Sequence, residues 1–390
     1  MPEVLGHVDD GWGKVADAFR SNLEDHDLGA AFCAEVGGRR VVDVWGGVAD
    51  ARTGRPWQED TIAVVFSVTK GAVAICANRL VERGELDLDE PVATYWPEFA
   101  AHGKGAIPVR WLLTHQAGLP VVDVPLTVQD VCAWYPVIRA LEAQRPLWEP
   151  GSRHAYHAHT FGFLVGEVVR RAHGRTVGAM FAGDVARPLG LSAWIGLPEG
   201  EEDRVAHLRA APPAPPEMAA MVEQFAGPDT ILGRALSLGG AFPELVTETG
   251  GFNARMVRAA EMPGANMVSD ARSLARLYSA TIAEVDGARL LEPATLAAAT
   301  AQQTTDSDML GMPAGFEALA MRFATGFMVP GPMFAGFGPR TFGHPGASGS
   351  TALADPDTGL AVGYVVNQMG GTGGDPRTGN LFSAVEACMG

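Results

Sequence analysis

The sequence predicts an α+β protein: one antiparallel sheet built from both ends of the chain, flanked by terminal helices, with a large, mainly helical stretch inserted between them. Three observations carry this. A helical stretch followed by two apolar runs opens the chain. Two apolar runs followed by a helical stretch close it. The long middle reads mainly as helix, broken by Pro- and Gly-rich connections.

In chain order, residues 9–24 place Trp12, Val15, Phe19 and Leu23 on one face at helical spacing. Runs 30–36 and 40–45 are strand-like, and Gly37-Gly38 between them is a hairpin signal. At the other end, runs 350–354 and 360–367 flank the turn Asp355-Pro356-Asp357-Thr358-Gly359, and a helical run over 377–389 follows. The middle, 68–300, includes the proline cluster Ala211-Pro212-Pro213-Ala214-Pro215-Pro216, which reads as an exposed loop. The predicted division is a discontinuous α/β domain of residues 1–66 and 300–390 and a mainly helical domain of residues 67–299. A ligand cleft is expected where they meet.

Composition excludes several classes. A net charge of −16 without a basic stripe argues against nucleic acid and anionic membranes as partners. No stretch approaches the roughly 20 apolar residues a bilayer span needs. Met1-Pro2-Glu3-Val4-Leu5-Gly6-His7 lacks the charged and apolar regions of a signal peptide. Cys33, Cys76, Cys132 and Cys388 are widely spaced, which fits reduced thiols and a cytoplasmic location.

The chemistry starts from a scarcity. Only three lysines occur, Lys14, Lys70 and Lys104, and Lys70 stands three residues after Ser67 in Phe66-Ser67-Val68-Thr69-Lys70-Gly71. Extended residues 61–66 precede this segment and an alanine-rich helical run follows, so Ser67 opens a helix with Lys70 one turn along on the same face. A serine hydroxyl needs a neighbouring base to become a nucleophile. A lysine serves if burial holds its pKa down, and the helix start directs free N–H groups at a developing oxyanion.

Two further elements fit this scheme. Glu149-Pro150-Gly151-Ser152 is a turn that leads into Tyr156 ahead of a helical run. A neighbouring ammonium would lower the Tyr156 pKa, so the phenol could share a proton with Lys70. In Phe342-Gly343-His344-Pro345-Gly346-Ala347-Ser348-Gly349-Ser350, glycine allows close backbone approach, and the Ala347 N–H can complete an oxyanion hole with that of Ser67.

The order of these elements resembles the serine β-lactamase and penicillin-binding-protein superfamily and, within it, the family VIII carboxylesterases, which are similar to class C β-lactamases. The likeness runs nearly end to end, through Val41-Val42-Asp43-Val44-Trp45-Gly46-Gly47, the Ser67 segment, Leu80-Val81-Glu82-Arg83-Gly84-Glu85-Leu86-Asp87-Leu88-Asp89 and Leu112-Leu113-Thr114-His115-Gln116-Ala117-Gly118-Leu119-Pro120. Tyr156-His157-Ala158 stands where the superfamily has Tyr-x-Asn, and His344-Pro345-Gly346 where it has Lys-Thr-Gly.

The resemblance implies a β-lactamase-like fold and a serine carboxylesterase acting on short-chain acyl esters without a cofactor. Ser67, Lys70 and Tyr156 would be catalytic, the Ser67 and Ala347 N–H groups the oxyanion hole, and His344, Gly346 and His157 cleft residues facing the substrate. Ala158 and His344-Pro345 remove the amide, fixed charge and hydroxyl that hold a β-lactam, which tilts the reading toward esters. The alternatives are a β-lactamase or D-amino-acid amide or peptide hydrolase with the same machinery, and a catalytically silent scaffold.

Rival motifs are weaker. His154, His157 and His159 fit no common zinc spacing. There is no G-x-S-x-G elbow, and Gly370 to Gly374, followed by Asp375-Pro376, reads as a loop.

Overall fold

A computed structural model describes residues 2–213, 215–306, 309–311, 317–334, 336–370 and 375–390. Ala214 of the proline cluster and residues 371–374 of the glycine run lie outside the described residues.

The chain opens with strand β1 (Val4–Val8), helix α1 (Gly13–Asp25) and the hairpin of β2 (Gly29–Val36) and β3 (Arg39–Asp50). Three helices of the middle matter for the site: α2 (Thr69–Glu82), α3 (Thr160–His173) and α4 (Ala271–Ile282). The last part adds β4 (Arg322–Phe323), β5 (Met328–Val329), β6 (Phe342–Pro345), β7 (Thr351–Asp355), β8 (Leu360–Val366) and helix α5 (Pro376–Met389). The strands form one sheet in the order β1-β3-β2-β8-β7-β6-β5-β4. β2 pairs antiparallel with β8, Val36 opposite Leu360 and Ala30 opposite Val366, so the two chain ends meet at the centre of the sheet as predicted.

Helices cover both faces of this sheet. Val15, Phe19 and Leu23 of α1 and Leu381 and Val385 of α5 pack on Ala30, Phe32, Ala34, Val362 and Tyr364. Leu274, Leu277 and Tyr278 of α4 pack with the alternate set Ala31, Cys33, Ala361 and Val365. Burial on both faces explains why β2 and β8 read as unbroken apolar runs rather than alternating ones. Each fully buried valine or leucine contributes roughly 1.5–3 kcal/mol. α4 belongs in sequence to the middle stretch yet lies on the sheet, so that stretch supplies one of the sheet's own layers.

β1 and the short edge strands β4 and β5 were not foreseen as strands. β1 exposes most of its five residues and contains Gly6, and β4 and β5 are two residues each, too short for a period to show. Among the described residues no helix is long and apolar enough to cross a membrane.

Candidate active site

The sequence around Ser67 forces a sharp turn. Phe66–Val68 is a single 3₁₀ turn that runs into α2, and Phe66 takes φ +47°, a conformation that costs a bulky residue on the order of 1–3 kcal/mol. Thr69 holds it. Its hydroxyl donates to the Phe66 carbonyl and accepts from the Met267 N–H at 2.9 Å, while the Val65 N–H donates to Met267 O at 2.9 Å. The turn is therefore tied to the backbone of Met267 on both sides of Ser67. Thr69 escaped the sequence reading because a hydroxyl bonded to backbone leaves no spacing pattern.

Lys70 is completely buried at the start of α2. Its Nζ lies 2.7 Å from both Ala158 O and Gly264 O and 3.2 Å from Ser67 Oγ. No carboxylate pairs with it among the described residues, and burial alone holds its pKa well below the ordinary lysine value. A neutral amine has two hydrogens. In the unprotonated form that burial favours, the two short carbonyl contacts would take both and turn the lone pair toward Ser67, whose Oγ is the third neighbour of Nζ.

Tyr156 approaches from the other side and donates its O–H to Ser67 Oγ at 2.7 Å. Burial pushes its phenol upward from the ordinary value near 10, and the Ser67 contact opposes this only in part. Here the structure corrects the sequence reading, which had an ammonium pulling the phenol toward tyrosinate. Lys70 is enclosed and Tyr156 only partly exposed, so burial disfavours charge on both the amine and the phenol. The Lys70 Nζ sits 4.8 Å from the centre of the Tyr156 ring.

β6 brings the glycine-rich run to the same place. Gly346 accepts from the Gly349 N–H at 2.9 Å and donates to Ser350 O at 2.7 Å, closing a four-residue turn. A side chain at Gly346 would meet Val65 O at 2.2 Å, so the glycine is needed for contact with the protein's own backbone beside Ser67. Among the described residues, neither the Ser67 nor the Ala347 N–H donates to a protein group. Both are spare donors on two turns that touch.

The histidines play a quieter part than their number suggests. His157 is fully buried; its Nδ1–H donates to Ala155 O at 2.6 Å and its Nε2 accepts from the Leu119 N–H at 3.1 Å, so both ring nitrogens serve the backbone. His159 and His154 turn to Leu236 O and Met321 O, so the three histidine rings diverge to separate carbonyls. His115, at φ +62°, accepts from the His157 N–H at 3.1 Å and packs 5.2 Å from the Tyr156 ring. In the sequence it was marked only as part of the segment 112–120, which carries the family resemblance. His344 does reach the site. Its ring lies 6.0 Å from that of Tyr156, Nδ1 is bonded to Pro345 O at 2.6 Å, and among the described residues Nε2 is buried without a partner.

Burial holds His157, His159 and His344 near a pKa of about 3 and His115 well below its ordinary 6.5. In the unfolded chain these four take up protons from about pH 6.5 downward, while the folded chain does not. Their contribution is therefore complete above that pH and lost progressively toward pH 3. Urea denaturation at a series of pH values is expected to show stability falling between about pH 6.5 and 5, before most carboxylates titrate. A flat profile over that window would contradict the four neutral histidines.

Two spaces border the site. A slot against Tyr156, walled by Ile231, Leu232, Met309 and Leu310, has a free volume of only about 10 Å³. A larger groove of about 560 Å³ starts at Gly346 and Ala347 and runs past Leu319, Phe334 and Phe382.

A serine, a buried amine and a phenol thus meet at one point, beside two unused backbone donors. The chain matches the Beta-lactamase family over residues 15–386. It is similar to a family VIII carboxylesterase of known crystal structure, with 36% identity and a TM-score of 0.86 over 99% of this chain and 100% of that one. A penicillin-binding protein homolog from Caulobacter crescentus is 35% identical with a TM-score of 0.85, over 99% and 100% of the two chains. Esterase/beta-lactamase LipL of Mycobacterium tuberculosis is 33% identical over 383 residues, 94% of this chain and 83% of the relative. With the site geometry and nearly the whole length in agreement, the chain belongs to the Beta-lactamase family.

Proposed function

We propose that this chain is a serine carboxylesterase that hydrolyses short-chain acyl esters through an acyl-enzyme on Ser67. The observation that carries the reading is the buried, carbonyl-bound amine of Lys70, with its Nζ 3.2 Å from the Ser67 hydroxyl oxygen. Ser67 Oγ attacks the ester carbon as Lys70 takes its proton. The oxyanion that forms is held by the N–H groups of Ser67 and Ala347. The departing alkoxide is protonated through Tyr156, and the Lys70 ammonium replaces that proton. Water activated by the same pair then releases the acid. No step calls for a cofactor.

Substrate class follows from what the cleft lacks. His344, kept neutral by burial, offers no fixed positive charge to a carboxylate, and Ala158 offers only its carbonyl, which Lys70 already occupies. Of the suggested cleft residues, His344 is the one with a nitrogen to offer. The tight slot at Tyr156 favours a small group there. A reducing, cytoplasmic compartment fits the four unpaired cysteines, Cys33, Cys76, Cys132 and Cys388.

A panel of p-nitrophenyl esters from two to twelve acyl carbons, run beside a chromogenic cephalosporin, tests this. Acetate and butyrate are expected to exceed laurate by about tenfold in kcat/KM, the scale on which pockets separate apolar groups. Cephalosporin turnover is expected to be far slower. The groove at Ala347 favours a second reading, in which the acyl chain is long. A profile that peaks at laurate would select it, and cephalosporin turnover equal to ester turnover would reverse the substrate class.

A further inference from the structure

Arg377 is the second residue of α5, far from Ser67 in sequence and only 2% exposed. A guanidinium has five N–H donors, and here every one is used. Nη1 donates to Asp27 Oδ1 at 2.6 Å and to Gln368 O at 3.0 Å; Nε donates to Asp375 Oδ1 at 2.8 Å. Nη2 donates to Asp375 Oδ2 and, at 2.8 Å, to the carbonyl of Ser348. Asp27 is anchored in turn by the Tyr364 hydroxyl from β8.

Ser348 is the neighbour of Ala347 inside the Gly346–Gly349 turn. On one side that turn rests on Val65 O through Gly346. On the other it rests on Arg377 through the Ser348 carbonyl and through Gly349, where φ is +98° and an added side chain would come 2.4 Å from Nη2. The turn is held between these two contacts. Within it the Ser348 hydroxyl bonds Ser350 Oγ at 2.9 Å, so the clamp acts on a stiff unit.

We propose that Arg377 is a positioning residue for the oxyanion hole: by holding the Ser348 carbonyl it sets where the Ala347 N–H points. This rests on the esterase reading above. A hydrogen-bond donor stabilises an oxyanion only when aimed at the place the charge develops, and displacement of about 1 Å is costly. Lysine cannot replace the fork, because a single ammonium has three donors for five acceptors spread over four residues.

The test compares wild type with Arg377→Lys, and with Asp27→Asn, which loosens the same guanidinium from its far side. Each is assayed with p-nitrophenyl acetate and with the thionoester in which sulfur replaces the carbonyl oxygen. Active enzyme is counted by fluorophosphonate labelling. For Arg377→Lys, kcat per labelled site on the oxygen ester is expected to fall about tenfold with KM changed little. The oxygen-to-sulfur rate ratio is expected to narrow at least threefold, because the hole recognises the oxygen anion and serves the larger sulfur poorly. Asp27→Asn should move both quantities the same way by less. A purely structural Arg377 would lower the labelled fraction and leave the ratio at its wild-type value, and that result overturns the proposal. Should Arg377→Lys fail to fold, Asp27→Asn decides by the same ratio. Wild type that neither turns over the oxygen ester nor takes the label would instead defeat the parent reading.

Discussion

Ser67→Ala is expected to remove ester hydrolysis, lowering kcat/KM for p-nitrophenyl acetate by about 10⁴-fold or more. The size follows from what the side chain does. In the proposed mechanism it supplies the atom that bonds to the acyl group, and no other hydroxyl stands at hydrogen-bond distance from the Lys70 amine among the described residues. Residual rate would come only from backbone donors acting on bound ester and water. The fold should survive, since the core is untouched. The Tyr156 hydroxyl loses its acceptor, which costs on the order of 1–3 kcal/mol if nothing replaces it. Steady-state kinetics and a thermal melt on one preparation separate the two effects. A folded variant with full turnover would rule out Ser67 as nucleophile.

Lys70→Arg and Lys70→Met together ask what the amine contributes. Guanidinium stays protonated at any accessible pH, so arginine keeps a charge and cannot act as a base. Methionine fills similar space with neither property. If Lys70 takes the serine proton, both variants should lose about 10³-fold in kcat, within the usual range for removal of a general base. If its charge were what mattered, arginine would retain much of the rate. The wild-type pH profile gives the sign independently. In the proposed mechanism the amine acts unprotonated, and burial holds its pKa well below 10.5, so kcat/KM should rise with pH through the lowered pKa and then level. That acid limb should vanish from the residual activity of Lys70→Met.

The parts of this site that the sequence displayed are those whose chemistry needs a particular side chain. Ser67 and Lys70 stood out because lysine is scarce and their spacing is one helical turn. Tyr156 and the glycine-rich run followed from their order in the chain. What stayed hidden was backbone. The carbonyls of Ala158 and Gly264 that fix the Lys70 amine belong to residues with no side-chain signature for the task. The same holds for Phe66, whose left-handed φ appears at a residue type that gives no warning of it. His157 stood between two readings, a cleft contact beside Tyr156 and a structural histidine, and its ring bonds the backbone of Ala155 and of the distant Leu119. Protonation states also lay beyond reach, because they depend on how thoroughly folding removes water from Lys70 and Tyr156. For the fold, long two-sided strands such as β2 and β8 were visible, whereas two-residue edge strands were not.

Asp27 and Tyr364 touch although 337 positions separate them along the polypeptide. During synthesis, β2 must wait beside β3 with its other edge open until nearly all of the chain has left the ribosome. Such a late, non-local closure slows folding and leaves an apolar strand open to wrong partners meanwhile. A nascent chain stalled before Leu360 should therefore depend on chaperones, and even a short truncation at the carboxyl end should remove far more than its length suggests.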